Sequence, residues 1–213
     1  GFGASRTMQI AQRLYQGIEI EGETTGLITY MRTDGTNISK EAITDFRRLI
    51  EKDFGKNFIP ASPNNFAGKK AKNAQEAHEA IRPTNITRKP DDIKKYVNSD
   101  QYKLYDLIWS RALSSQMCPA EFDRNTILIS SEDNKINFRA SGSIIKFEGF
   151  LKVYKVQESD EDSKNILPEV KVNDEVNILD LNDDQHFTDP PPRYSEASLV
   201  KKMEELGIGR PST

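Results

Sequence analysis

Cysteine is almost absent from this sequence, which has only Cys118 among 213 residues. A single cysteine cannot form a disulfide within the chain, and it excludes a zinc site that is built from several cysteines. Free cysteines are mostly buried small apolar residues, so we expect Cys118 to fill the core beside Met117. The absence of a disulfide framework is compatible with a reducing compartment.

The sequence also lacks long apolar runs and a nucleotide-binding loop. No run approaches the roughly 20 apolar residues that cross a bilayer, and no signal-peptide core is present. We therefore expect a soluble, cytoplasmic protein without a membrane partner. The string Gly-x-x-x-x-Gly-Lys-[Ser/Thr] does not occur either, which excludes the common ATP-phosphate loop.

An overall excess of basic residues is missing too, because the net charge is −3. The balance is uneven along the chain. Residues 1–120 carry 18 Lys and Arg against 14 Asp and Glu, whereas residues 121–213 carry 12 against 19. Any contact with nucleic acid should therefore lie mainly in the first part, with the acidic excess forming solvated surface elsewhere.

Helical periodicity dominates the chain up to Pro119. Ser5 and Ser39 are candidate N-caps of two amphipathic helices that end near Gly17 and Gly55. A longer helix is predicted over residues 100–117. A short helix is predicted over residues 76–81, and it must end near Pro83 because the residue before a proline is disfavoured in helical conformation.

Beyond Pro119 the period changes to that of β-strands. Strands are predicted at residues 126–129, 135–140, 144–156 and 170–181, separated by acidic or Asn/Gly turns. The fold class is therefore α+β. We divide the chain into a helical module at 1–119, a β-rich module at 120–189, and a proline-rich linker with the start of a further helical module, capped by Ser195, at 190–213.

The most informative string is LITYMRTDG at residues 27–35. In an extended segment, side chains two positions apart point the same way, so the Tyr30 phenol and the Arg32 guanidinium can face one site. A phenol with a pKa near 10 attacks phosphorus only when its phenolate is stabilised or its proton is removed. The planar guanidinium of an arginine matches a phosphate. On its own, a Tyr-x-Arg pair is more often packing than chemistry.

Two further strings favour a chemical role of Tyr30 and Arg32 over simple packing. They are QEAHEAIRP at residues 75–83, and SEASLV at 195–200 running on to GIGRPST at 207–213. The three strings in this order resemble the core of bacterial type IA DNA topoisomerases. The resemblance covers essentially the whole chain. It implies a multidomain fragment of a toroidal core, in which the helical module carries the tyrosine and the β-rich module belongs to an arch.

The resemblance also implies the roles of individual residues. Tyr30 attacks single-stranded DNA and becomes joined to a 5′ phosphate, and Arg32 positions the phosphate. We expect DNA binding by His78, Arg210, Ser212 and Thr213. Arg82 lies four residues after His78 on the predicted helix, so it could share that face and bind a phosphate, or it could be an exposed arginine at the helix end. Relatives commonly have serine at the position of Gly35, and we expect little consequence from that difference.

Other candidates are weaker. The lysines Lys69, Lys70 and Lys72 could touch DNA or be merely solvated, and both readings stay open. Phe66 and Tyr96 could stack on bases, although core packing is the safer prediction. Ser195 and Glu196 are explained as a helix cap and a first-turn acid, and we assign them no chemistry.

The family needs magnesium, but no acidic metal-binding domain is recognised in this sequence. We expect no metal ligands here, and a metal-binding domain that precedes this region in a longer polypeptide. The start at Gly1 and the stop at Thr213 support that expectation. The partners implied are single-stranded and negatively supercoiled DNA, and the protein would be monomeric and nucleoid-associated. The fragment alone should be inactive in cleavage.

Two alternatives remain. The first is a non-catalytic single-stranded DNA-binding module in which Tyr30 is only packed. The second, which is weaker, is a tyrosine recombinase or type IB enzyme. Those enzymes surround the tyrosine with a basic constellation on a helical domain and form a 3′ linkage.

Overall fold

The structure is a computed structural model that describes residues 2–33, 35–66, 78–154 and 167–208. These residues form two compact units. The first takes its described residues from Gly1–Glu121, Phe147–Val156 and Ser195–Thr213, and the second from Phe122–Lys146 and Gln157–Tyr194. The chain therefore leaves the first unit after Glu121, contributes to it again at Phe147–Val156, and contributes to it once more from Ser195.

Helices and two small sheets make up the described elements, so the predicted α+β class is confirmed. The helices are α1 (Ala4–Gln16), α2 (Lys40–Phe54), α3 (Pro90–Ile93), α4 (Ser99–Ser114) and α5 (Glu196–Glu205). One sheet pairs β1 (Ile18–Ile20) with β2 (Glu23–Thr25) in antiparallel register, and the other pairs β3 (Glu121–Ser130) with β4 (Asn137–Phe147). Short 3-10 turns cover Lys56–Phe58 and Gly149–Lys152.

Several helix ends follow from local sequence signals. The Ser39 hydroxyl accepts a hydrogen bond from the Ala42 amide at 3.3 Å, as its N-cap role predicts. Gly17 and Gly55 end α1 and α2 with φ of 123° and 101°, a backbone region that favours glycine. These predicted boundaries are confirmed, as is the Ser195 cap of α5.

The start of α1 differs from the prediction. Its N-cap is Gly3 and not Ser5, and no side chain from its own turn caps it. The Glu196 carboxylate on α5 accepts a hydrogen bond from the Ala4 amide at 2.7 Å. A negative group at a helix N-terminus satisfies an unpaired amide and the helix dipole. Because the acid comes from 192 residues away, no local pattern could identify it.

The core of the first unit is formed by the inner faces of α1, α2 and α4. Leu14, Phe46 and Tyr105 are at most 1% exposed. Two aromatic polar groups tie the chain before α3 to α4: the Tyr105 hydroxyl donates to the Arg88 carbonyl, and the Trp109 indole donates to the Ile86 carbonyl, both at 2.8 Å. Burial raises the pKa of Tyr105, so its proton stays in place for this bond.

The predicted strand at 144–156 is only partly correct, because β4 ends at Phe147. Gly149 adopts φ of 50°, and a Cβ at this position would overlap the Pro119 carbonyl. The next residue, Phe150, donates its amide to the Cys118 carbonyl at 2.9 Å. The close approach of these two backbones therefore turns the chain out of the strand.

The predicted strand at 170–181 is wrong, since residues 167–194 contain no helix or strand. Apolar side chains in this stretch face solvent, with Val172 92% and Leu179 97% exposed. The alternating pattern that favours a strand is present, but a strand also needs a neighbouring strand to pair with. The described residues supply none for this segment.

The predicted helix at 76–81 is also wrong over its described part, residues 78–81. This segment is extended and pairs with the tyrosine string through an antiparallel bridge between Ile28 and Pro83. The Thr29 amide donates to the Arg82 carbonyl at 2.9 Å, and the Thr84 amide donates to the Leu27 carbonyl at 3.0 Å. The pairing across about fifty residues supplies the hydrogen bonds that a helix would have made internally.

Glu79 links this segment to the start of α2. Its carboxylate accepts hydrogen bonds from the Arg82 guanidinium at 2.8 Å and from the Ser39 amide at 3.3 Å. The next residue, Ala80, donates its amide to the Asn37 carbonyl at 2.8 Å. The hydrogen bond from Arg82 is the main cause that lowers the pKa of Glu79, and it outweighs the opposing effect of burial.

The Glu79 link should be sensitive to acid. A carboxylate whose pKa is lowered on folding contributes stability above its unfolded pKa of about 4.3 and loses it as the pH falls through the folded value. We expect Glu79→Gln in the complete polypeptide to speed hydrogen exchange of the Ala80 amide a few-fold at pH 7, because a partly exposed ion pair contributes about 0.2–1 kcal/mol. Wild-type protection, corrected for intrinsic rates, should fall towards that of the variant below about pH 4.

Asp45→Asn is the matched control. It removes an exposed pair with Arg48 on α2 and should leave the exchange of Ala80 unchanged. Equal exchange in wild type and Glu79→Gln at pH 7 would contradict a structural role of this carboxylate.

Candidate active site around Tyr30

The tyrosine string is anchored by its apolar residues. Leu27 and Ile28 are each 1% exposed and Met31 is 5% exposed. Tyr30 between them is half-buried, and Arg32 is exposed. The prediction of an extended segment holds through the bridge at Ile28, after which the backbone bends at Met31 and Arg32. Strand geometry therefore does not by itself align the side chains of Tyr30 and Arg32.

Two rings hold the Tyr30 side chain. The Tyr15 ring of α1 lies 5.3 Å away between centroids, in an edge-to-face arrangement with a 64° interplanar angle. The His78 imidazole lies 4.9 Å away at 50°. The structure thus brings together Tyr30 and His78, whose association the sequence implied only by resemblance. Tyr15 was missed, since the sequence indicates it only as a residue on one face of α1.

Gly35 allows His78 to approach the tyrosine string. A Cβ on Gly35 would overlap the His78 carbonyl oxygen and would lie 3.1 Å from the Thr33 hydroxyl. The expectation that serine and glycine are interchangeable at this position is therefore wrong for this structure. The reason is close contact with a distant segment, because Gly35 does not occupy a glycine-only backbone region.

Arg32 is exposed and lines a cleft of about 1080 Å³ between α1 and α5, whose other lining residues include Arg6, Arg13, Glu196 and Glu204. Three arginines therefore line this cleft, of which Arg6 is paired with Asp100 at 2.7 Å, and arginine side chains suit an anionic ligand. Glu196 also caps α1, so the carboxylate has a structural role here that the sequence did not reveal.

Arg82 is largely committed to intramolecular contacts. Its side chain is 14% exposed, and its guanidinium donates to Glu79 at 2.8 Å and to the Pro83 carbonyl at 3.0 Å. The guanidinium therefore fixes the extended segment that presents His78, whose own side chain is exposed.

Several predicted residues lie outside the described part of the chain. These are the DNA-binding candidates Arg210, Ser212 and Thr213 and the lysines Lys69, Lys70 and Lys72. Of the two aromatic candidates for base stacking, Tyr96 is half-buried and its hydroxyl donates to Glu21 at 3.2 Å. Phe66 is 52% exposed, so the prediction of core packing is wrong for it.

The side chains present do not fit a magnesium site. Among the residues that the structure describes, no group of three or more His, Cys, Asp or Glu is arranged to hold a metal ion. We therefore derive no chemical step through a metal from these residues. None of the helices in the described part of the chain is long and apolar enough to cross a membrane.

Comparisons with known proteins identify the family. The model of the family described as DNA topoisomerase matches residues 1–213. The chain is 52% identical over 215 residues to DNA topoisomerase 1 of Rickettsia typhi, covering 100% of this chain and 28% of that protein. It is 45% identical over 213 residues to DNA topoisomerase 1 of Campylobacter jejuni, covering 100% and 29%.

A solved structure agrees with these relatives. The full-length topoisomerase I from Thermotoga maritima superposes with a TM-score of 0.76 at 37% identity, over 100% of this chain and 33% of that one. The chain thus spans less than a third of the length of the relatives that it matches. With its three sequence strings and its fold both matched, the chain belongs to the bacterial type IA DNA topoisomerase family.

Proposed function

We propose that this chain is the nucleophile-bearing part of an enzyme that relaxes negatively supercoiled DNA. The enzyme cleaves one strand, passes the other strand through the break, and reseals it. The observation that carries the proposal is Tyr30 itself, which lies within the family string and is half-buried between the Tyr15 and His78 rings. A ring held from two sides is pre-positioned for attack on a bound phosphodiester.

The reaction balances without ATP. The Tyr30 phenolic oxygen attacks phosphorus, a P–O bond forms to the tyrosine, and the P–O3′ bond breaks. The phenol loses its proton and the leaving 3′ oxygen takes one up. One phosphodiester replaces another, so the reverse attack by the 3′ hydroxyl reseals the strand and frees Tyr30.

The surrounding residues bind and orient the strand. We assign Arg32 to the phosphate because the residue is exposed and lines a cleft together with Arg6 and Arg13. His78 would contact the DNA next to the tyrosine, since its exposed imidazole lies 4.9 Å from the Tyr30 ring. We assign Arg82 to DNA binding through the segment that it holds, and Arg210, Ser212 and Thr213 to the strand on the strength of their string alone.

The organisation of the enzyme is part of the proposal. The helical module at 1–119 would be a lid that carries Tyr30, the module at 120–189 would belong to an arch, and residues 190–213 would begin a DNA-binding module. Magnesium would be held by an N-terminal domain of the same polypeptide. The enzyme would work as a monomer in the nucleoid on single-stranded regions of negatively supercoiled DNA.

The test of the nucleophile is Tyr30→Phe in the complete polypeptide, incubated with magnesium and single-stranded DNA labelled at either end. We expect wild type to form a covalent adduct to the 5′ phosphate side of the break. Tyr30→Phe should lose the adduct while its DNA affinity stays within about twofold, because only the hydroxyl is removed. The measurement is a denaturing gel of the products, with binding measured in parallel.

Tyr15→Phe is the matched control, since it keeps the ring that contacts Tyr30 and should still form the adduct. An adduct in Tyr30→Phe, or its loss in Tyr15→Phe alone, would contradict the assignment. DNA binding by the wild type without any adduct would favour the binding-module alternative, and a 3′ linkage would favour the type IB class. Metal-dependent cleavage by the 213 residues alone would contradict the proposal that the metal site lies elsewhere.

A second test concerns the contact at Gly35. We expect Gly35→Ala to slow adduct formation by on the order of tenfold, because the added methyl displaces His78 from the tyrosine and small displacements of catalytic groups are costly. The measurement is the single-turnover rate of adduct formation, beside hydrogen exchange of the segment around Ala80. Unchanged rates and unchanged exchange would contradict the prediction that the contact between Gly35 and His78 positions the histidine.

A further inference from the structure

A second cleft lies away from the ring cluster, on the outer side of α2. We call it the α2 cleft, and define it by Lys40, Arg47, Arg48, Lys56, Phe66 and Gln116 among its lining residues. Its volume is about 1000 Å³. It lies within the first compact unit, between α2 and the loop that follows the 3-10 turn at Lys56–Phe58.

The charge of the α2 cleft is opposite to that of the whole chain. Four cationic residues line it and only one acid, Glu51, whereas the net charge of the chain is −3. Arg48 is partly balanced by Asp45 at 3.2 Å, in a pair that is mostly exposed and therefore weak. No carboxylate among the described residues pairs with Lys40 or Lys56. The cleft therefore presents a local positive field.

The wall of the cleft contains polar groups that are not fully satisfied. Arg47 donates one nitrogen to the Pro60 carbonyl at 2.8 Å, while its Nη1 is buried without a partner among the described residues. Gln116 is 0% exposed and donates to the Asn64 carbonyl at 3.0 Å, but its Oε1 has no such partner. Unsatisfied buried polar atoms cost free energy, and they commonly mark sites that are completed by a ligand or solvent.

Phe66 gives the cleft an aromatic surface. Its side chain is 52% exposed, so the ring is accessible to a ligand in the cleft. Its carbonyl accepts a hydrogen bond from the Thr36 hydroxyl at 2.9 Å, so the residue is held to the segment that follows the tyrosine string. Cations next to an exposed ring are the arrangement with which proteins bind single-stranded nucleic acid, through phosphate contacts and base stacking.

The α2 cleft is connected to the Tyr30 site through a short segment. Thr36 and Asn37 line the cleft, and the Asn37 carbonyl accepts the Ala80 amide two residues beyond His78. Thr36 follows Tyr30 by six positions in the chain, a span of at most about 22 Å. One strand of DNA can therefore reach both places.

We propose that the α2 cleft is a second binding subsite for a single DNA strand, in which Lys40 and Lys56 contact phosphates and Phe66 stacks on a base. The inference rests on the proposed function only in taking DNA as the ligand. The subsite adds affinity to the strand that is presented to Tyr30, and it takes no part in the bond exchange.

The test uses the complete polypeptide in a Tyr30→Phe background, so that binding is measured without cleavage. The probe is a fluorescent single-stranded oligothymidylate, titrated over a range of salt concentrations. We expect Lys40→Gln with Lys56→Gln to weaken binding roughly tenfold at low salt and to reduce the slope of log affinity against log salt by about 1.4, since each phosphate contact on a single strand contributes about 0.7.

Phe66→Ala should weaken binding roughly tenfold with little change in the salt slope, because stacking releases no counterions. Phe66→Trp should bind with the affinity of wild type, because an indole ring can also stack on a base. A merely structural role of Phe66 would not predict this result. The matched control is Lys52→Gln with Lys103→Gln, two exposed lysines outside the cleft, one of them also on α2. This control should lower affinity far less than the cleft pair.

Equal binding by the cleft pair and the control pair would overturn the subsite, as would a Phe66→Ala variant that binds like wild type. The adduct assay with Tyr30 intact separates this failure from that of the proposed function. If only the subsite is wrong, the cleft variants form the 5′ adduct like wild type at every DNA concentration. If the proposed function is wrong, no polypeptide forms the adduct, including wild type.

Discussion

The antiparallel contact between the tyrosine string and the segment ending at Thr84 is the interaction on which the candidate site depends. Thr29 is its centre. Its amide donates to the Arg82 carbonyl, and its hydroxyl donates to the Ala80 carbonyl at 2.8 Å and accepts the Arg82 amide at 3.0 Å. These bonds join segments that lie about fifty residues apart, and they fix where the chain presents His78. Without them, Tyr30 would keep its contact with Tyr15 but would have no fixed histidine.

The same contact explains how a half-buried tyrosine stays both rigid and accessible. Leu27, Ile28 and Met31 enter the core and hold the backbone on either side of Tyr30. The segment that ends at Thr84 pairs with the string through the bridge between Ile28 and Pro83, and Tyr30 lies beyond this bridge in a half-buried position. Burial of apolar neighbours contributes most of the free energy here, since each fully buried large apolar side chain contributes about 1.5–3 kcal/mol. The polar site is therefore supported by apolar residues that are themselves buried in the core.

Sequence reasoning succeeded where the determinants are local and failed where they are distant. The caps at Ser39 and Ser195 depend on amides three residues away, and both were predicted. The segment from His78 was predicted as a helix because its own residues favour one, yet pairing with a strand from much earlier in the chain prevailed. Gly35 shows the same limit, since the reason for its missing side chain is a carbonyl more than forty residues later. The family strings predicted the candidate site residues, but not the contacts that bring Tyr30 and His78 together.

Charge illustrates why a whole-chain property can mislead about a site. A net charge of −3 argues against a nucleic-acid partner, and yet the described surface has cations concentrated along one side of α2 and in the cleft beside Arg32. Ionic screening at physiological salt limits exposed charges to an effective range of about 8 Å. A strand bound as proposed would therefore respond to the cations within one or two side-chain lengths, and an acidic excess in a distant part of the chain would hardly weaken that attraction. The charge that lines each cleft is thus a better guide to an anionic partner than the net charge of the chain.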